Sequence, residues 1–480
     1  MTMMIHRDYR RTHLHLIIVL ACLWLRQNRH DPPLIGVAAV DPHQNDDASA
    51  AEKTRHNGEN HAANLFTPPP EIQVWGPSEF PKPTDKLLQD QYRRPNAIPV
   101  VHVEPTHGSH RPDHDAILAY AEGYKLPWYQ MFMNTLAESG YRGDVVLAIA
   151  EERIVSEHVV DFLKTFTVGD PDKPNLVVYQ QALDCDNNSP DNKEYYGTNK
   201  RQLTKHGDTN PFQMCRLPHV YGWKQLNDDT VPVETVPDPR SGRVVATLRF
   251  EWYWIWAQKY NPHSWLMLLD ARDSFFQSDP FADLPRTPTS QPKTRGLLYL
   301  FGENAEATRL GISKKNQQWI RRAYGDATID VLKDKPTICS GSTMGEQVAM
   351  ETYIRAMVNE HDECDVVMMG SDQGFHNFLY YSQKMIQASA IERIVVWEQG
   401  RGQINNLGAL RTKPLKEWGK LYNPETHQVF QWPADDDDET EELILSPVVH
   451  QWDRDKDLHS WMTRTKHKAW EKEWTNRHKE

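Results

Sequence analysis

Short apolar runs alternate with segments of helical spacing from about residue 116 onward. Ala116-Ile117-Leu118-Ala119-Tyr120-Ala121-Glu122-Gly123-Tyr124 reads as a strand that ends in a loop, and Trp128 to Ser139 carries the apolar spacing of an amphipathic helix. Asp144 to Ile149 reads as a second strand, Val159 to Phe166 as a short helix, and Asn175 to Tyr179 as a third strand. This β-α-β-α-β order predicts a parallel sheet with helices on its faces. A polar excursion from about Gln180 to Val233 interrupts the alternation. Thr247 to Tyr260 then predicts an aromatic-rich helix, whose Trp and Tyr stripe is read as core because aromatic side chains bury large areas.

The next run, Ser264-Trp265-Leu266-Met267-Leu268-Leu269, predicts a buried strand that delivers Asp270 and Asp273 at its carboxyl end. Open α/β sheets bind ligands at that end of their strands. Ser274-Phe275-Phe276 and the Asp279-Pro280 turn signal follow, which places both carboxylates at a strand-to-loop corner rather than on a solvated helix face. Two hard oxygen ligands there suit Mg²⁺ or Mn²⁺, which would neutralise a diphosphate. The plainer reading is a strand end whose acids are solvated or paired.

Outside this region the pattern changes. Arg7, Arg10 and Arg11 precede the apolar run Leu14 to Leu25, which closes at Arg26, the layout of a signal sequence or uncleaved signal anchor. The run is short against the roughly 20 residues of a spanning helix, and a buried amino-terminal helix is the alternative. From Arg26 to Arg111 the chain is rich in Pro, His, Asn, Asp and Gly and reads as a flexible stem. An extended arm is the alternative, anchored by Val74-Trp75 and Val100-Val101-His102-Val103. Asp435-Asp436-Asp437-Asp438-Glu439 reads as a solvated loop, and Gly400-Arg401-Gly402-Gln403 as a Gly-rich turn without the strand-to-helix phosphate-loop signature. Trp461 to Glu480 predicts an amphipathic tail helix. The expected layout is an anchor over residues 1–30, a stem over 31–110, a main domain over 111–460 and a tail over 461–480.

Composition narrows the classes. A chain of 480 residues with 39% hydrophobic and 25% charged residues is globular, and its 32 prolines point to long irregular stretches. A formal charge of −12 argues against general nucleic-acid binding, which needs clustered Lys and Arg. Cys22 lies in the apolar run, leaving Cys185, Cys215, Cys339 and Cys364, an even number that could form two disulfides in an oxidising lumen. Without a Cys-x-x-Cys pair a structural zinc site is not expected. Asn187-Asn188-Ser189 is a glycosylation sequon.

Several ordered elements together resemble a nucleotide-sugar glycosyltransferase of the GT-A type. They are the first strand with Tyr120 and Tyr124, the aromatic helix, Asp270-Ala271-Arg272-Asp273, Ser340-Gly341-Ser342-Thr343-Met344-Gly345, Asp372-Gln373-Gly374 with Asn377, and His450-Gln451-Trp452-Asp453. Gly341 and the Asp372-Gln373-Gly374 motif resemble the retaining, glycogenin-like group. The resemblance spans residues 116–458 and implies a Rossmann-like, mostly parallel sheet flanked by helices. It implies a sugar donor carried on a nucleotide diphosphate, a glycan or glycoprotein acceptor, and Mn²⁺ or Mg²⁺. With Leu14 to Leu25 as an uncleaved anchor, the expected residence is a Golgi or endoplasmic reticulum membrane, single-pass, with the catalytic domain luminal.

By the same resemblance Asp372 and Gln373 face the donor sugar, Tyr120, Tyr124, Asp270, Arg272 and Gly341 line the nucleotide cleft, and Asp270, Asp273 and His450 hold the cation. This chain departs from the family in two respects. Its acids are three positions apart instead of two, which leaves binding of ribose or orientation of Arg272 as other roles for Asp270. Cys339 and Ser340 stand where an Asn is frequent in retaining relatives, which bears on the donor-sugar contacts. Asp372 can equally cap a helix. Two other classes stay open: a binding protein of the same fold without catalysis, and a haloacid-dehalogenase-type phosphatase with Asp270 as nucleophile.

Overall fold

The computed structural model describes residues 80–84, 94–150, 156–167, 169–181, 183–186, 214–240, 242–364, 370–408, 413–432 and 443–477. The run Leu14 to Leu25, the Asn187 sequon and the acidic run at residues 435–439 lie outside them. Among the described residues no helix is long and apolar enough to cross a membrane.

The chain is a mixed α/β protein built on a seven-stranded sheet. Its strands are β1 (Ala116–Tyr120), β2 (Asp144–Ala150), β3 (Asn175–Gln181), β4 (Trp265–Leu269), β5 (Gly296–Gly302), β6 (Ile338–Glu346) and β7 (Ile391–Trp397), in the spatial order β7-β5-β6-β4-β1-β2-β3. β1, β2, β4 and β5 read as nearly continuous apolar runs because both faces are covered. Ile117, Ala119, Val145 and Leu147 point to one side, under α1 (Leu126–Glu138) and α2 (Glu157–Lys164). Leu118, Val146 and Val177 point to the other, under α3 (Val245–Ala257) and two later helices, α6 (Gln347–Cys364) and α7 (Ser371–Tyr381). Two short helices, α4 (Lys314–Tyr324) and α5 (Asp326–Leu332), lie between β5 and β6 in the chain. The aromatic stripe of α3 is core as expected, with Trp252, Trp254 and Trp256 fully buried.

A wholly parallel sheet is not what forms. β1, β2, β3 and β4 run parallel to their neighbours, and so do β5 and β7, but β6 is antiparallel to both β4 and β5. The reversal has a local consequence: the middle of β6 lies beside the last residues of β4. Ser342 pairs with Leu269, and the Asp270 N–H donates to the Gly341 carbonyl at 3.1 Å. Strand order also reverses between β1, whose chain proceeds outward to β2 and β3, and β4, where it resumes on the other side. Such a switch point opens a crevice at the carboxyl ends of the two strands.

Parts of the stretch read as a stem pack on this domain. Ala97–Val101 pairs antiparallel with Tyr221–Gln225, and the His102 N–H donates to the Val220 carbonyl at 2.7 Å. The carbonyls of Phe80 and Pro81 accept from Arg355 and Asn359 of α6. The tail runs as Lys456–Trp461, a π-helical turn Met462–Lys466 and His467–Arg477. It buries Met462, Trp470 and Trp474 against the domain.

Among the described residues one disulfide forms, where the four cysteines could have made two. Cys185 and Cys215 are bonded across a short antiparallel pair, whereas Cys339 is a buried free thiol and Cys364 a half-buried one. Cys364 ends α6 beside Tyr324 and Glu360, while Cys339 lies in β6 near Glu303 and Asp270, so the two thiols occupy different surroundings.

At the amino edge of the sheet a buried polar knot ties β2 to the chain before β1. His110 bridges the hydroxyls of Tyr179 and Tyr260 at 2.8 and 2.9 Å, and the Asp144 carboxylate accepts from Tyr260, Arg111 and Asn175. Burial lowers His110 to about 4, which Asp144 only partly offsets. Unfolded histidine titrates near 6.5, so the unfolded chain binds a proton that the folded one refuses. Stability is therefore expected to fall as the pH drops from about 6.5 to about 4, by on the order of 3 kcal/mol from this group. Urea unfolding across that range, with His110→Gln flattening the acid limb, checks it.

Candidate functional site

Residues from five separate segments meet at the switch point. Arg249, one turn into α3, is buried and forks between two carboxylates. One Nη pairs with Asp270 and the other donates to Asp372 Oδ2 at 2.8 Å. Asp372 lies in the first turn of α7, but it does not cap that helix, whose amino-terminal residue Gly370 has a left-handed backbone. Its carboxylate instead accepts from Arg249 and from Ser340 Oγ at 2.9 Å.

The spacing in Asp372-Gln373-Gly374-Phe375-His376-Asn377 now acquires a physical reason. Gln373 and Asn377, one helical turn apart, grip the start of β6. Gln373 Oε1 accepts the Ser340 N–H at 2.7 Å, while Asn377 accepts from the Ile338 N–H at 2.9 Å and donates to its carbonyl at 2.8 Å. Gly374, between them, faces α4 instead and lets that helix approach closely, since a Cβ there would lie 3.0 Å from the Trp319 Cβ. The side-chain carbonyl of Gln373 is thus engaged in holding the strand that carries Ser340 and Gly341.

Two carboxyls sharing one arginine are driven apart. Burial raises Asp372, and with the like charge of Asp270 beside it this outweighs the lowering by Arg249 and Ser340. Burial also pushes Asp270 up, but Arg249, His450 and Arg272 outweigh it and hold it below its ordinary range. Asp270 therefore stays ionised while Asp372 titrates higher, an arrangement that divides roles between neighbouring acids.

His450 ends the strand Val448–His450, which pairs antiparallel with Ser274–Phe276. Its Nδ1 lies 3.0 Å from Ser274 Oγ, and that hydroxyl donates to the Asp270 carbonyl at 3.0 Å. A hydroxyl has a single proton, so Nδ1 is assigned as the donor to Ser274, and burial keeps the ring neutral by lowering its pKa. The lone pair is then on Nε2. A Cβ at Gly341 would lie 3.0 Å from that nitrogen and 2.7 Å from Asp270 Oδ2, so both acceptors converge above this glycine and any larger residue would fill the space.

Two converging acceptors fit a cation. The third expected ligand does not join them: Asp273 accepts from Arg272 Nε at 2.7 Å and lies 3.6 Å from Arg454. Among the described residues no group of three His, Cys, Asp or Glu is disposed to hold a metal ion. The cause is the turn Ala271–Asp273, which carries Asp273 past the corner toward the arginines.

Tyr120 ends β1 and donates to Glu122 at 3.0 Å, while its own N–H is held by the Tyr253 hydroxyl. Tyr124 is half-buried within electrostatic reach of Asp270, Arg272, Asp273 and Arg249, so it borders the same crevice. Arg272 is exposed at its rim. Gly400 and Gly402, by contrast, form a turn packed against Trp432 and Trp397.

Arg249 and Glu303 were not found by sequence reasoning, and Ser340 and Gln451 entered it only as members of the Ser340–Gly345 and His450–Asp453 motifs, with no role of their own. A lone arginine in an aromatic helix was the available signal for Arg249. Its helix neighbour Glu251 has a separate use, pairing with Arg240 and Arg243 beside Asp362 of α6. A cavity of about 810 Å³ lies at the opposite edge of the sheet, lined by Arg111, Asp115, Lys173, Asp279 and Arg286 among others. Its charges are largely matched within the protein, as in Arg286 with Asp115 and Lys173 with Asp170.

No protein-family model matches the chain, and no curated protein matches it. Among solved structures, galactosyltransferase LgtC in complex with donor and acceptor sugar analogs is similar at 9% identity over 70% of this chain and 86% of that one, with a TM-score of 0.30. An active-site mutant of LgtC is similar at 11% identity over 74% of this chain and 95% of the other, with a TM-score of 0.31. At such scores neither family nor activity follows from the likeness, and the functional reading stands on the site itself.

Proposed function

We propose that this protein is a glycosyltransferase of the GT-A type that moves a sugar from a nucleotide diphosphate to a glycan or glycoprotein acceptor. One observation carries the reading. An ionised Asp270, a neutral His450 and the buried pair Arg249–Asp372 face one crevice at the topological switch point of an α/β sheet, where ligands bind. Glycosidic cleavage places charge on the leaving diphosphate and on the anomeric carbon, and fixed charges in a dry site stabilise both. Asp372, kept close by Arg249 and Ser340, supplies the negative charge toward the sugar. Gln373 and Asn377 fix the strand beneath it. Tyr120, Tyr124 and Arg272 border the nucleotide, and Gly341 leaves room for it. Asp270 and His450 would hold Mn²⁺ or Mg²⁺, which when bound would neutralise the diphosphate. Kinship with the retaining, glycogenin-like group and an anchored, luminal topology in the Golgi or endoplasmic reticulum belong to the same proposal, supported by the motif resemblance and by residues 7–26.

Incubation with labelled nucleotide sugars, with and without Mn²⁺, tests the reading. Donor hydrolysis or transfer supports it, saturable binding without turnover identifies a binding protein, and phosphate release from phosphomonoesters identifies a phosphatase. His450→Asn is expected to weaken Mn²⁺-dependent nucleotide binding by more than about tenfold, the loss typical of even an outer partner of a metal site. Asp273→Asn should cost less, because its carboxylate is already taken by Arg272 and Arg454. Equal loss in the two variants would restore Asp273 to the cation set.

A further inference from the structure

Glu303 follows β5 as Asp270 follows β4, and both strands are antiparallel to the β6 that separates them, so the two carboxyls rise from the same edge of the sheet. The Glu303 N–H donates to the Thr337 carbonyl at 2.9 Å, which pins the residue beside the entry to β6. Its carboxyl is hydrogen-bonded by the Gln451 side chain and faces Arg454, and the Cys339 thiol lies within the influence of both Glu303 and Asp270.

Gln451 itself is unusual. Its backbone is left-handed, with φ of 59°, a conformation that costs a non-glycine residue of order 1–3 kcal/mol and persists where surrounding structure enforces it. Its N–H donates to the Asp273 carbonyl at 2.7 Å, and its side-chain amide nitrogen lies 3.8 Å from Cys339 Sγ. Its Oε1 is buried without a hydrogen-bond partner among the described residues, an expense that a ligand hydroxyl would remove.

We infer that Glu303 is a catalytic residue that takes the proton from the acceptor hydroxyl, with Gln451 as the positioning residue that holds both Glu303 and the acceptor sugar. This rests on the sugar-transfer reading. In the step, the hydroxyl proton passes to a Glu303 carboxylate oxygen and the acceptor oxygen bonds to the anomeric carbon. The bond from that carbon to the diphosphate oxygen breaks, its electron pair leaving with the diphosphate, and Glu303 later returns its proton to water. The surroundings suit the task. Burial pushes the Glu303 carboxyl up to about 7, against the lowering effects of Gln451 and Arg454, so it exchanges a proton near neutrality.

Glu303→Gln preserves volume and is expected to lower the transfer rate about 10² to 10⁴-fold, with nucleotide affinity and melting temperature retained. The acid limb of the kcat profile should vanish with it. Gln451→Met removes the amide donor and should move that limb to higher pH. Infrared pH-difference spectra read the same group without turnover: a protonated-carboxyl band titrating near 7 in the parent should be absent from Glu303→Gln. Parental transfer rate in Glu303→Gln, or an unchanged carboxyl band, overturns the assignment. A parent protein that binds nucleotide sugars yet transfers to no acceptor overturns the transferase reading itself, and the infrared band distinguishes that failure from a misplaced Glu303.

Discussion

Replacing Arg249 with methionine is expected to destabilise the protein by about 3 to 5 kcal/mol, the cost of stripping the partner from buried charge. The side chain is buried between Asp270 and Asp372, and methionine fills a similar volume, so packing is nearly kept while two carboxylates lose their common cation. Their mutual repulsion then sets the pH dependence. With the arginine gone, protonation of either acid relieves the pair, so the variant should be closest to the parent in mildly acidic solution and furthest from it at neutral pH. A double-mutant cycle isolates the interaction: Arg249→Met with Asp372→Asn should recover at least about 1 kcal/mol relative to the sum of the single changes. Urea midpoints at constant slope are the measurement. A single variant as stable as the parent would mean that the arginine does not bridge the two acids.

The largest kinetic effect is expected at Asp372. Asp372→Asn keeps the oxygen that accepts from Arg249 and Ser340 and keeps the volume, but it removes the negative charge. Helix α7 loses no cap, because Asp372 does not cap it. Stability should therefore change by about 1 kcal/mol, the net worth of one hydrogen bond, and nucleotide binding should persist. Turnover should fall about 10² to 10⁴-fold, the typical contribution of a positioned acid or base. Transfer rate, nucleotide affinity and melting temperature measured on one preparation decide the matter. A variant that melts many degrees lower and loses nucleotide binding in step with activity would assign Asp372 to the framework. A fully active variant would leave it no chemical role.

The elements that depend on local pattern were legible in the chain. β1 to β4 and α1 to α3 lie where apolar runs and helical spacing placed them, within a few residues, because a strand covered on both faces and a helix covered on one each leave a periodic trace. The acidic corner after β4 and the aromatic core of α3 were legible for the same reason. What remained hidden depends on direction and on distance along the chain. Nothing in Ile338–Glu346 shows that β6 runs backwards, yet that reversal sets Gly341 against Asp270. Cysteine number allowed two disulfides, but the folded chain joins one pair and separates the other two thiols.

The sequence by itself determined which residue types stand at strand ends and helix starts: Asp270 and Asp273 after β4, Asp372 to Asn377 opening α7, His450 near the end. Tertiary structure alone decided what each carboxylate faces. Arg249, 123 positions from Asp372, took the place of a helix cap or a cation as that acid's partner. Arg272 and Arg454 became the partners of the Asp273 carboxylate. Glu303 acquired its proton affinity from burial beside Gln451, 148 residues later. Charge interactions fall off with distance and dielectric rather than with separation in sequence, so their outcome is written only where the chain folds back on itself.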